Sequence, residues 1–485
     1  PRCMKALLEM GAEGLRRAAI AAEGAIEAIP SHQVELLPPV PQPEKIICVG
    51  LNYADHAAES GMQPPREPVI FNKLPTALRA SGDPIVLPEL SREVDYEAEL
   101  VVVIGVGGRG ASVISAVAPE VNMVALCDVD QNRAAKTFAA FPAARQFRDF
   151  RKMFDALESR IDAVIVATPD HFHAVAAMAA IKRGKHVYCE KPLAHNVFEV
   201  RALMKAAREH GVVTQLGNQG HSSDSIRTFC EWIWDGAIGN VHTIHAGCAA
   251  MNSAIGLLPQ LQQTYEVPTT LDWDLWLGPA QQRPYCPAYL PGSWRRWVPF
   301  GNGTVGDWTC HVVDPVFWAL DLGAPQTIRA EVKDYDPKTQ GDAFPEGEII
   351  TYEFAAKAGR GPITMHWYSG AERIPRPADL EPERKSVETG AVVLGDKGTI
   401  TYGSHGAGGV RIIPEAKMRQ YQPPEKTLPR VRGHHQDWLD AIRNGGKAGS
   451  DFAYGGPLTE IAMLGVVAIK LPGQKLQWDA VNMRF

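Results

Sequence analysis

The chain has 485 residues, of which 45% are hydrophobic and 21% are charged. These proportions are ordinary for a globular protein and exclude a disordered or fibrous chain, and the length predicts about three domains. The formal net charge of −6 excludes the basic balance of a nucleic-acid-binding protein, so we expect no nucleic-acid partner. We find no apolar run of about 18 residues and therefore expect no membrane span.

The cysteines predict a reducing compartment. Eight of them are spread along the chain without a Cys-x-x-Cys pair. This spacing is not typical of a disulfide or zinc framework. The first residues also lack a charged-then-apolar secretory pattern, so we expect a cytoplasmic protein.

The first stretch, residues 1–99, opens with a helical pattern over residues 4–29 and then becomes dense in proline. Proline removes a backbone donor and restricts φ, so turns and short strands are favoured there. An apolar run at Lys45–Val49 is one such strand candidate.

From Leu100 onward, apolar runs alternate with helical segments. The predicted strands cover 100–104, 123–127, 161–167, 186–189 and 212–216, and the predicted helices cover 111–118, 133–140, 174–183 and 197–210. This alternation is typical of βαβ units, so we predict an α/β fold with a doubly wound parallel sheet over residues 100–222.

The last stretch, residues 223–485, has a different pattern. Gly347–Phe354 and Ile363–Tyr368 alternate apolar and polar residues with period two, which is typical of half-buried strands. A helical segment follows at His434–Asn444. We predict an α+β domain with an open, largely antiparallel sheet.

A glycine-rich turn follows the first strand of the α/β region. The segment Gly105-Val106-Gly107-Gly108-Arg109-Gly110 fits Gly-x-Gly-x-x-Gly between a strand and a helix, and the second strand ends at Asp128. In a Rossmann dinucleotide site, such glycines permit a tight turn, close approach to a pyrophosphate and close helix packing. A carboxylate at Asp128 would accept the ribose hydroxyls and favour NAD, although Arg109 could instead face a 2′-phosphate or the adenine, so NADP stays open. A purely structural turn is the alternative.

Three further segments carry a family resemblance. They are Thr168–His173 (TPDHFH), Gly184–Pro192 (GKHVYCEKP) and Asp307–His311 (DWTCH). Together with the glycine-rich turn they resemble the glucose–fructose oxidoreductase/inositol dehydrogenase family (Gfo/Idh/MocA), over about residues 100–485. The resemblance implies an NAD(P)-dependent oxidoreductase, with Thr168, His173, Glu190 and Lys191 near the cofactor.

The resemblance also implies the catalytic residues. Lys191 would polarise the reacting oxygen, because an ammonium at the end of a parallel strand stabilises developing alkoxide charge. Asp307 and His311 are four residues apart and share a helix face. His311 would exchange the hydroxyl proton, with Asp307 orienting or charging its ring.

Structural roles remain open for several of these residues. Asp307 could cap a helix, His311 could be a core histidine, and His173 could simply begin a helix. The aromatic group Trp294, Trp297, Phe300 and Trp308 could wall a sugar cleft or pack in a core. The histidine pairs His434-His435 and His242 with His245 lack metal-ligand spacing, so we interpret them as ordinary polar positions.

Residues 1–99 resemble a different family. Gly50–Glu59 (GLNYADHAAE), Glu67–Phe71 (EPVIF) and Val94–Leu100 (VDYEAEL) are similar to fumarylacetoacetate hydrolases. The resemblance implies acid/base work by His56 and Glu59 and a divalent cation held by Glu97 and Glu99. The third carboxylate and the rest of that fold do not follow. We therefore interpret the segment as truncated, the chain as a chimera, and Glu97 with Glu99 as an incomplete pair, with no metal expected.

The predicted function is hydride transfer between a nicotinamide and a hydroxyl-bearing carbon of a sugar or cyclic polyol. One alternative is an NAD-dependent glycoside hydrolase of the same family, working by oxidation and elimination. The other is a magnesium-dependent hydrolase that uses the N-terminal segment. We expect a homo-oligomer formed through the C-terminal sheet.

Overall fold

A computed structural model describes residues 13, 16–17, 46–50, 69–73 and 100–485 except residue 251. The chain divides into two compact units, residues 1–96 and 97–485. In the first unit, strand β1 (Ile46–Gly50) pairs antiparallel with β2 (Val69–Lys73). The predicted hydrolase-type residues His56, Glu59, Glu97 and Glu99 lie outside the described residues.

The second unit begins with a six-stranded parallel sheet. Its strands are β3 (Leu100–Ile104), β4 (Asn122–Cys127), β5 (Arg145–Phe147), β6 (Ala163–Val166), β7 (His186–Glu190) and β8 (Thr214–Gly217). Their spatial order is β5-β4-β3-β6-β7-β8, and every neighbouring pair is parallel. This is the doubly wound order, in which the order of strand addition reverses between β3 and β6, and ligands bind at that switch point.

Helices connect these strands. They are α1 (Arg109–Val117), α2 (Gln131–Ala140), α3 (Phe150–Leu157), α4 (Asp170–Ile181) and α5 (Val197–His210). The apolar strands β3 and β6 are buried almost throughout, as expected for a sheet covered on both faces. The predicted doubly wound α/β fold is confirmed.

The C-terminal part builds a second sheet of eight strands. They are β9 (Val241–Cys248), β10 (Thr327–Val332), β11 (Gly347–Phe354), β12 (Ile363–Gly370), β13 (Gly390–Gly395), β14 (Thr399–Gly403), β15 (Gly408–Ile413) and β16 (Leu476–Gln477). The order is β15-β14-β13-β9-β12-β11-β10-β16, and only β9 and β12 pair in parallel. Alternate residues of β11 are buried, so one sheet face covers the core and the other is open. The largely antiparallel sheet is confirmed.

The remaining helices surround this sheet. They are α6 (Asp224–Trp234), α7 (Trp273–Leu277), α8 (Gly303–Val312), α9 (Asp314–Ala319), α10 (Pro337–Gln340), α11 (Glu415–Gln420), α12 (His434–Arg443) and α13 (Phe452–Lys470). Short 3-10 segments occupy connections at Glu158–Arg160, Gln219–Ser222, Ile255–Gln262, Pro287–Tyr289 and Ser293–Arg296.

Helix α13 corrects the expectation that no stretch has the length and apolarity of a membrane span. An 18-residue stretch of this 19-residue helix has a mean hydropathy of 1.5, so the helix is long and apolar enough for a span by length and composition. However, 78% of that stretch is buried within the fold. Gly455 and Gly456 lie against Leu216 and Met204, so the helix packs closely on the first sheet's layer. Its apolar surface is explained by its position as a core helix.

The end of the chain returns to the parallel sheet. Trp438 and Leu439 of α12 are fully buried in one cluster with Val101 and Val103 of β3. The outer layer of the nucleotide-binding fold is therefore completed by residues more than 300 positions later in the sequence.

Candidate active site

A cavity of about 590 Å³ lies at the carboxyl ends of β3, β6 and β7. Its walls include the glycine-rich turn, the Thr168 and Lys191 loops, and His311 of α8. Because parallel α/β sheets bind ligands at this edge, the cavity occupies the position that the sheet topology predicts.

The glycine-rich turn can be formed only by glycines at two positions. Gly105 has φ of +84°, and a Cβ atom there would lie 2.6 Å from the carbonyl oxygen of Ala167. A Cβ atom at Gly110 would collide with the carbonyl oxygen of Gly105. The turn is thus pressed against the start of α1, and the helix N-terminus faces the cavity, where it favours a phosphate.

Asp128 closes the turn from the end of β4. Its Oδ2 accepts hydrogen bonds from the backbone N–H groups of Val106 (2.9 Å) and Gly107 (3.2 Å), and Oδ1 accepts one from Asp130 (3.0 Å). Burial raises the pKa of Asp128, and these N–H groups act against that rise. The carboxylate lines the cavity beside the turn, where a ribose would lie.

Arg109 and Glu190 form an ion pair across the cavity. Arg109 Nε lies 2.9 Å from Glu190 Oε1, and Gln219 donates to the same oxygen at 3.0 Å. Arg109 therefore extends to the end of β7. Arg133, on α2, places its guanidinium against Gly107 and Gly108 instead.

Thr168 and His173 differ in their freedom to contact a ligand. The Thr168 hydroxyl is buried, lines the cavity and has no hydrogen-bond partner among the described residues. His173 lies with Nδ1 2.7 Å from the Pro192 carbonyl and Nε2 2.8 Å from the Thr168 carbonyl. Burial lowers the pKa of His173, whereas the two carbonyls raise it. Its ring braces the loops after β6 and β7.

Lys191 and Asp307 are joined directly. Lys191 Nζ donates to Asp307 Oδ1 at 2.6 Å and to the Asp307 carbonyl oxygen at 2.7 Å. Arg295 Nε donates to the same Oδ1 at 3.1 Å. Burial alone raises the pKa of Asp307, but the two cations outweigh it and hold that pKa well below its usual range.

Asp307 lies inside helix α8, which begins at Gly303, so the alternative that Asp307 caps a helix is wrong. Asp307 and His311 lie four residues apart in α8 and so share a helix face, as predicted, and His311 lines the cavity. No hydrogen bond joins them within the described part of the chain, where the Asp307 carboxylate is bonded to Lys191 and Arg295.

His311 is buried, and its Nδ1 has no hydrogen-bond partner among the described residues. Its ring stacks on His405 with centroids 4.2 Å apart. Burial, Lys191 and His405 lower the pKa of His311 well below its usual value. The imidazole is consequently neutral near pH 7 and able to accept a proton.

Sequence reasoning did not single out Arg295, His405 or Gln219, all of which line the cavity. Each comes from a connection without periodicity, so no local pattern indicated it. Asp170 lies inside the quoted Thr168–His173 segment but was given no role. It lines the cavity at the start of α4, and burial raises its pKa to about 6.

The four aromatic residues Trp294, Trp297, Phe300 and Trp308 do not all have the same role, because some pack in a core and one also lines the cavity. Trp297 and Phe300 are fully buried in a core cluster, whereas Trp294 both packs there and lines the cavity. Trp308 lies edge-on to His405. His434 is a buried polar residue that contacts Ser222 and Leu216.

The cavity fits a dinucleotide. The glycine-rich turn leaves no room for Cβ atoms at two positions, α1 begins there, and the Thr168 hydroxyl lacks a partner in the part of the chain that the structure describes. Among the described residues, no group of three or more His, Cys, Asp or Glu side chains could hold a metal ion.

Three ranges of the chain match known protein families. Residues 100–218 match the NAD-binding Rossmann fold of the GFO/IDH/MocA oxidoreductase family, and residues 257–359 match the C-terminal alpha/beta domain of that family. Residues 45–125 match the C-terminal model of the fumarylacetoacetate hydrolases. Residues 100–125, which include β3, are therefore matched by the models of both families.

Curated relatives match the N-terminal part. The mitochondrial oxaloacetate tautomerase fahd2 of Xenopus laevis is 44% identical over 109 residues, which are 22% of this chain and 34% of that protein. The chain thus spans about a third of the length of the curated relatives that it matches.

Solved structures match the remaining part in fold. The WlbA dehydrogenase of Bordetella pertussis, solved with NADH and UDP-GlcNAcA, has a TM-score of 0.54 at 16% identity, covering 79% of this chain and 99% of its own. An inositol dehydrogenase homologue of Azotobacter vinelandii, solved with NADH and myo-inositol, has a TM-score of 0.53 at 15% identity, covering 79% and 98%.

These matches agree with the motifs, the two sheets and the cavity. Residues 100–218 and 257–359 thus match the NAD-binding and C-terminal domains of the GFO/IDH/MocA oxidoreductase family, and residues 45–125 match part of the fumarylacetoacetate hydrolases.

Proposed function

We propose that this protein is an NAD-dependent dehydrogenase that oxidises a CH–OH group of a sugar or cyclic polyol, or reduces the corresponding carbonyl. One observation carries the proposal. The glycine-rich turn, Lys191 and His311 line a single cavity, and Asp307 is hydrogen-bonded to Lys191. A substrate in that cavity would lie between the cofactor and a proton acceptor.

Lys191 is the residue that holds the reacting oxygen. An ammonium group has three N–H donors, and Asp307 receives two of them. The third is left to donate to a substrate hydroxyl or carbonyl. Since Asp307 fixes the ammonium from two directions, little reorganisation is needed when negative charge develops on that oxygen.

His311 is the residue that exchanges the proton. Its lowered pKa keeps the imidazole neutral, so it accepts the hydroxyl proton as the carbon is oxidised. Bound NAD supplies the hydride acceptor. Asp307 acts on His311 through space, where its charge opposes the lowering of the His311 pKa, while its carboxylate is hydrogen-bonded to Lys191 and Arg295.

The test measures cofactor affinity and turnover separately. We expect Lys191→Met and His311→Asn to lower kcat by about 100-fold or more, as is typical for loss of an acid/base group, while the Kd for NADH changes little. Lys205→Met is the matched control, because Lys205 lies on the outer surface of α5 with 67% of its side chain exposed. Unchanged turnover in both site variants would contradict the proposal.

The same assay separates the glycoside hydrolase alternative. A dehydrogenase accumulates NADH in step with oxidised product. Cleavage of an aryl glycoside by protein that retains its NAD, without net NADH formation, would instead assign the oxidation–elimination reaction.

A second candidate activity concerns the first hundred residues, and the 44% identity over 109 residues favours testing it. Magnesium-dependent tautomerisation of oxaloacetate that survives Gly107→Trp and is lost in Glu97→Ala would assign this activity. We expect none, because the chain covers 34% of that relative.

We also propose that the protein forms a homo-oligomer through the open face of the C-terminal sheet. His245, His366 and Thr351 lie in register on β9, β12 and β11 and are only half-buried. The two imidazole rings stack with centroids 5.3 Å apart, and burial lowers the pKa of His245 to about 4, so this patch carries little charge near pH 7. Light scattering measures the molar mass of both proteins. We expect an oligomer in the wild type and a smaller species in His366→Glu.

A further inference from the structure

Arg295 is held on two sides within the cavity. Its Nε donates to Asp307 Oδ1 at 3.1 Å, and its guanidinium carbon lies 4.2 Å from the ring centroid of Trp294. About a third of the side chain is exposed. Stacking on an aromatic ring orients a guanidinium while leaving its edges open to other partners.

The outer edge of this guanidinium is unused. Within residues 100–485 as the structure describes them, the hydrogen bond and ion pair of Arg295 both run through Nε. A guanidinium carries five N–H donors in a planar fork. The four donors on its terminal nitrogens are thus available to a ligand in the cavity, in the geometry that suits a two-oxygen anion.

The charges around Arg295 also favour an anion. Lys191 and Arg295 share a single carboxylate oxygen, Asp307 Oδ1, so two cations face one anion. Asp170 is the other nearby acid. It is buried, and its Oδ2 accepts from Asn302 at 3.1 Å, while the charge of Arg295 acts on it through space and opposes the rise that burial causes in its pKa. Arg109 is already paired with Glu190.

We propose that Arg295 is a specificity-determining residue that binds an anionic group of the substrate, so that the substrate is an acidic sugar or polyol. The anion is a carboxylate or a phosphate, since both present two oxygens to a guanidinium fork. This inference rests on the proposed dehydrogenase function, because it places the anion in the same cavity as Lys191 and His311.

The experiment measures binding to the NADH-loaded protein by the change in NADH fluorescence. The probes are D-glucose, D-glucuronate and D-glucose 6-phosphate, together with D-galactose and D-galacturonate. We expect wild type to bind an acidic probe about 10- to 100-fold more tightly than its neutral counterpart, the range expected for a charge-assisted bidentate contact. Glucuronate and glucose 6-phosphate distinguish the carboxylate from the phosphate.

Variants separate recognition from a merely structural role. Arg295→Gln should reduce the ratio of acidic to neutral affinity to about one, and Arg295→Lys should restore part of it. If Arg295 only supported Asp307, both affinities would fall together and the ratio would stay. Asp170→Asn should increase acidic affinity, because it removes a competing charge. Arg208→Gln, on the exposed surface of α5, is the matched control.

The inference is overturned if protein that binds NADH shows no preference for the acidic probes, or if Arg295→Gln leaves the preference intact. Neither outcome touches the dehydrogenase proposal. That proposal fails separately if the protein binds no NADH or if Lys191→Met and His311→Asn retain full turnover.

Discussion

Lys191 Nζ is bonded to two oxygens of Asp307, the carboxylate Oδ1 at 2.6 Å and the backbone carbonyl at 2.7 Å. Lys191 follows the last residue of β7, in the parallel sheet, whereas Asp307 belongs to α8, which packs beneath the second sheet. One ion pair therefore ties the nucleotide-binding layer to the substrate layer at the point where chemistry is proposed.

This pair predicts a large stability effect. Asp307→Asn removes the only carboxylate bonded to both Lys191 and Arg295 among the described residues, leaving two neighbouring cations poorly matched. We expect the free energy of unfolding to fall by about 3 kcal/mol, the cost of breaking a largely buried pair. Urea denaturation measures this change in the free energy of unfolding. In the double variant Lys191→Met/Asp307→Asn, the free energy of unfolding should fall by less than the sum of the two single-variant losses. Strict additivity of the two losses would contradict the pairing.

The glycine-rich turn predicts a different failure. Gly110→Ala puts a methyl group into the carbonyl oxygen of Gly105, so α1 must shift away from the turn. We expect loss of NADH binding and a destabilisation of about 3 kcal/mol. Gly361→Ala is the matched control, because no atom lies within 4 Å of a Cβ atom at that position. Normal NADH affinity in Gly110→Ala would refute this account of the turn.

The environment of His311 predicts the pH profile. Burial, Lys191 and His405 keep the pKa of His311 low, so the base stays neutral as pH falls to 6.5 and below. We expect the acid limb of kcat/KM to lie below the usual histidine value. His405→Asn removes one of the groups that lower this pKa and should move the limb to higher pH. A limb that stays in place would argue against His311 as the titrating group.

Glu348 predicts how stability depends on pH. This residue of β11 is buried against Ser369, and burial raises its pKa to about 7. Because the folded pKa exceeds the unfolded one, the folded state binds the proton more tightly, and this contribution is lost as pH rises through 7. Glu348→Gln keeps a neutral polar group there. We expect its stability relative to wild type to improve by about 3 kcal/mol between pH 5 and pH 8. Equal pH dependence of both proteins in urea denaturation would contradict this.

The two compact units predict that the oxidoreductase part works alone. Every residue of the described cavity lies within residues 97–485. We expect a protein that lacks residues 1–96 to keep its NADH affinity and its turnover within about twofold of the full chain, because all the described residues of the cavity are retained. Isothermal titration with NADH measures the affinity. Loss of NADH binding would show that residues 1–96 are needed for it.

Hydrophobic patterning predicted the parallel sheet well, because strands buried on both faces are continuous apolar runs. Val197–His210 and Gly347–Phe354 were predicted with the bounds that the structure has. The alternation along Gly347–Phe354 corresponds to the alternating burial of β11.

The site was predicted only where side chains belong to a motif. Lys191 and His311 do line one cavity, and Asp307 is bonded to Lys191 there. The ion pair of Asp307 with Lys191 was not predicted. A spacing of four residues indicates a shared helix face, but it does not indicate which side chain binds the carboxylate. Arg295 and His405 come from irregular connections, whose positions depend on tertiary packing and leave no periodic signal.

The return of α12 to the parallel sheet has a consequence for biosynthesis. Val101 and Trp438 share one buried cluster, although 438 − 101 = 337 residues separate them. A nascent chain that has emerged as far as residue 222 contains all six parallel strands but still lacks the α12 side chains of the cluster that covers one face of them. The core of the NAD-binding domain is thus completed only after α12 has been synthesised. Chaperone binding during translation should persist until α12 has left the ribosome.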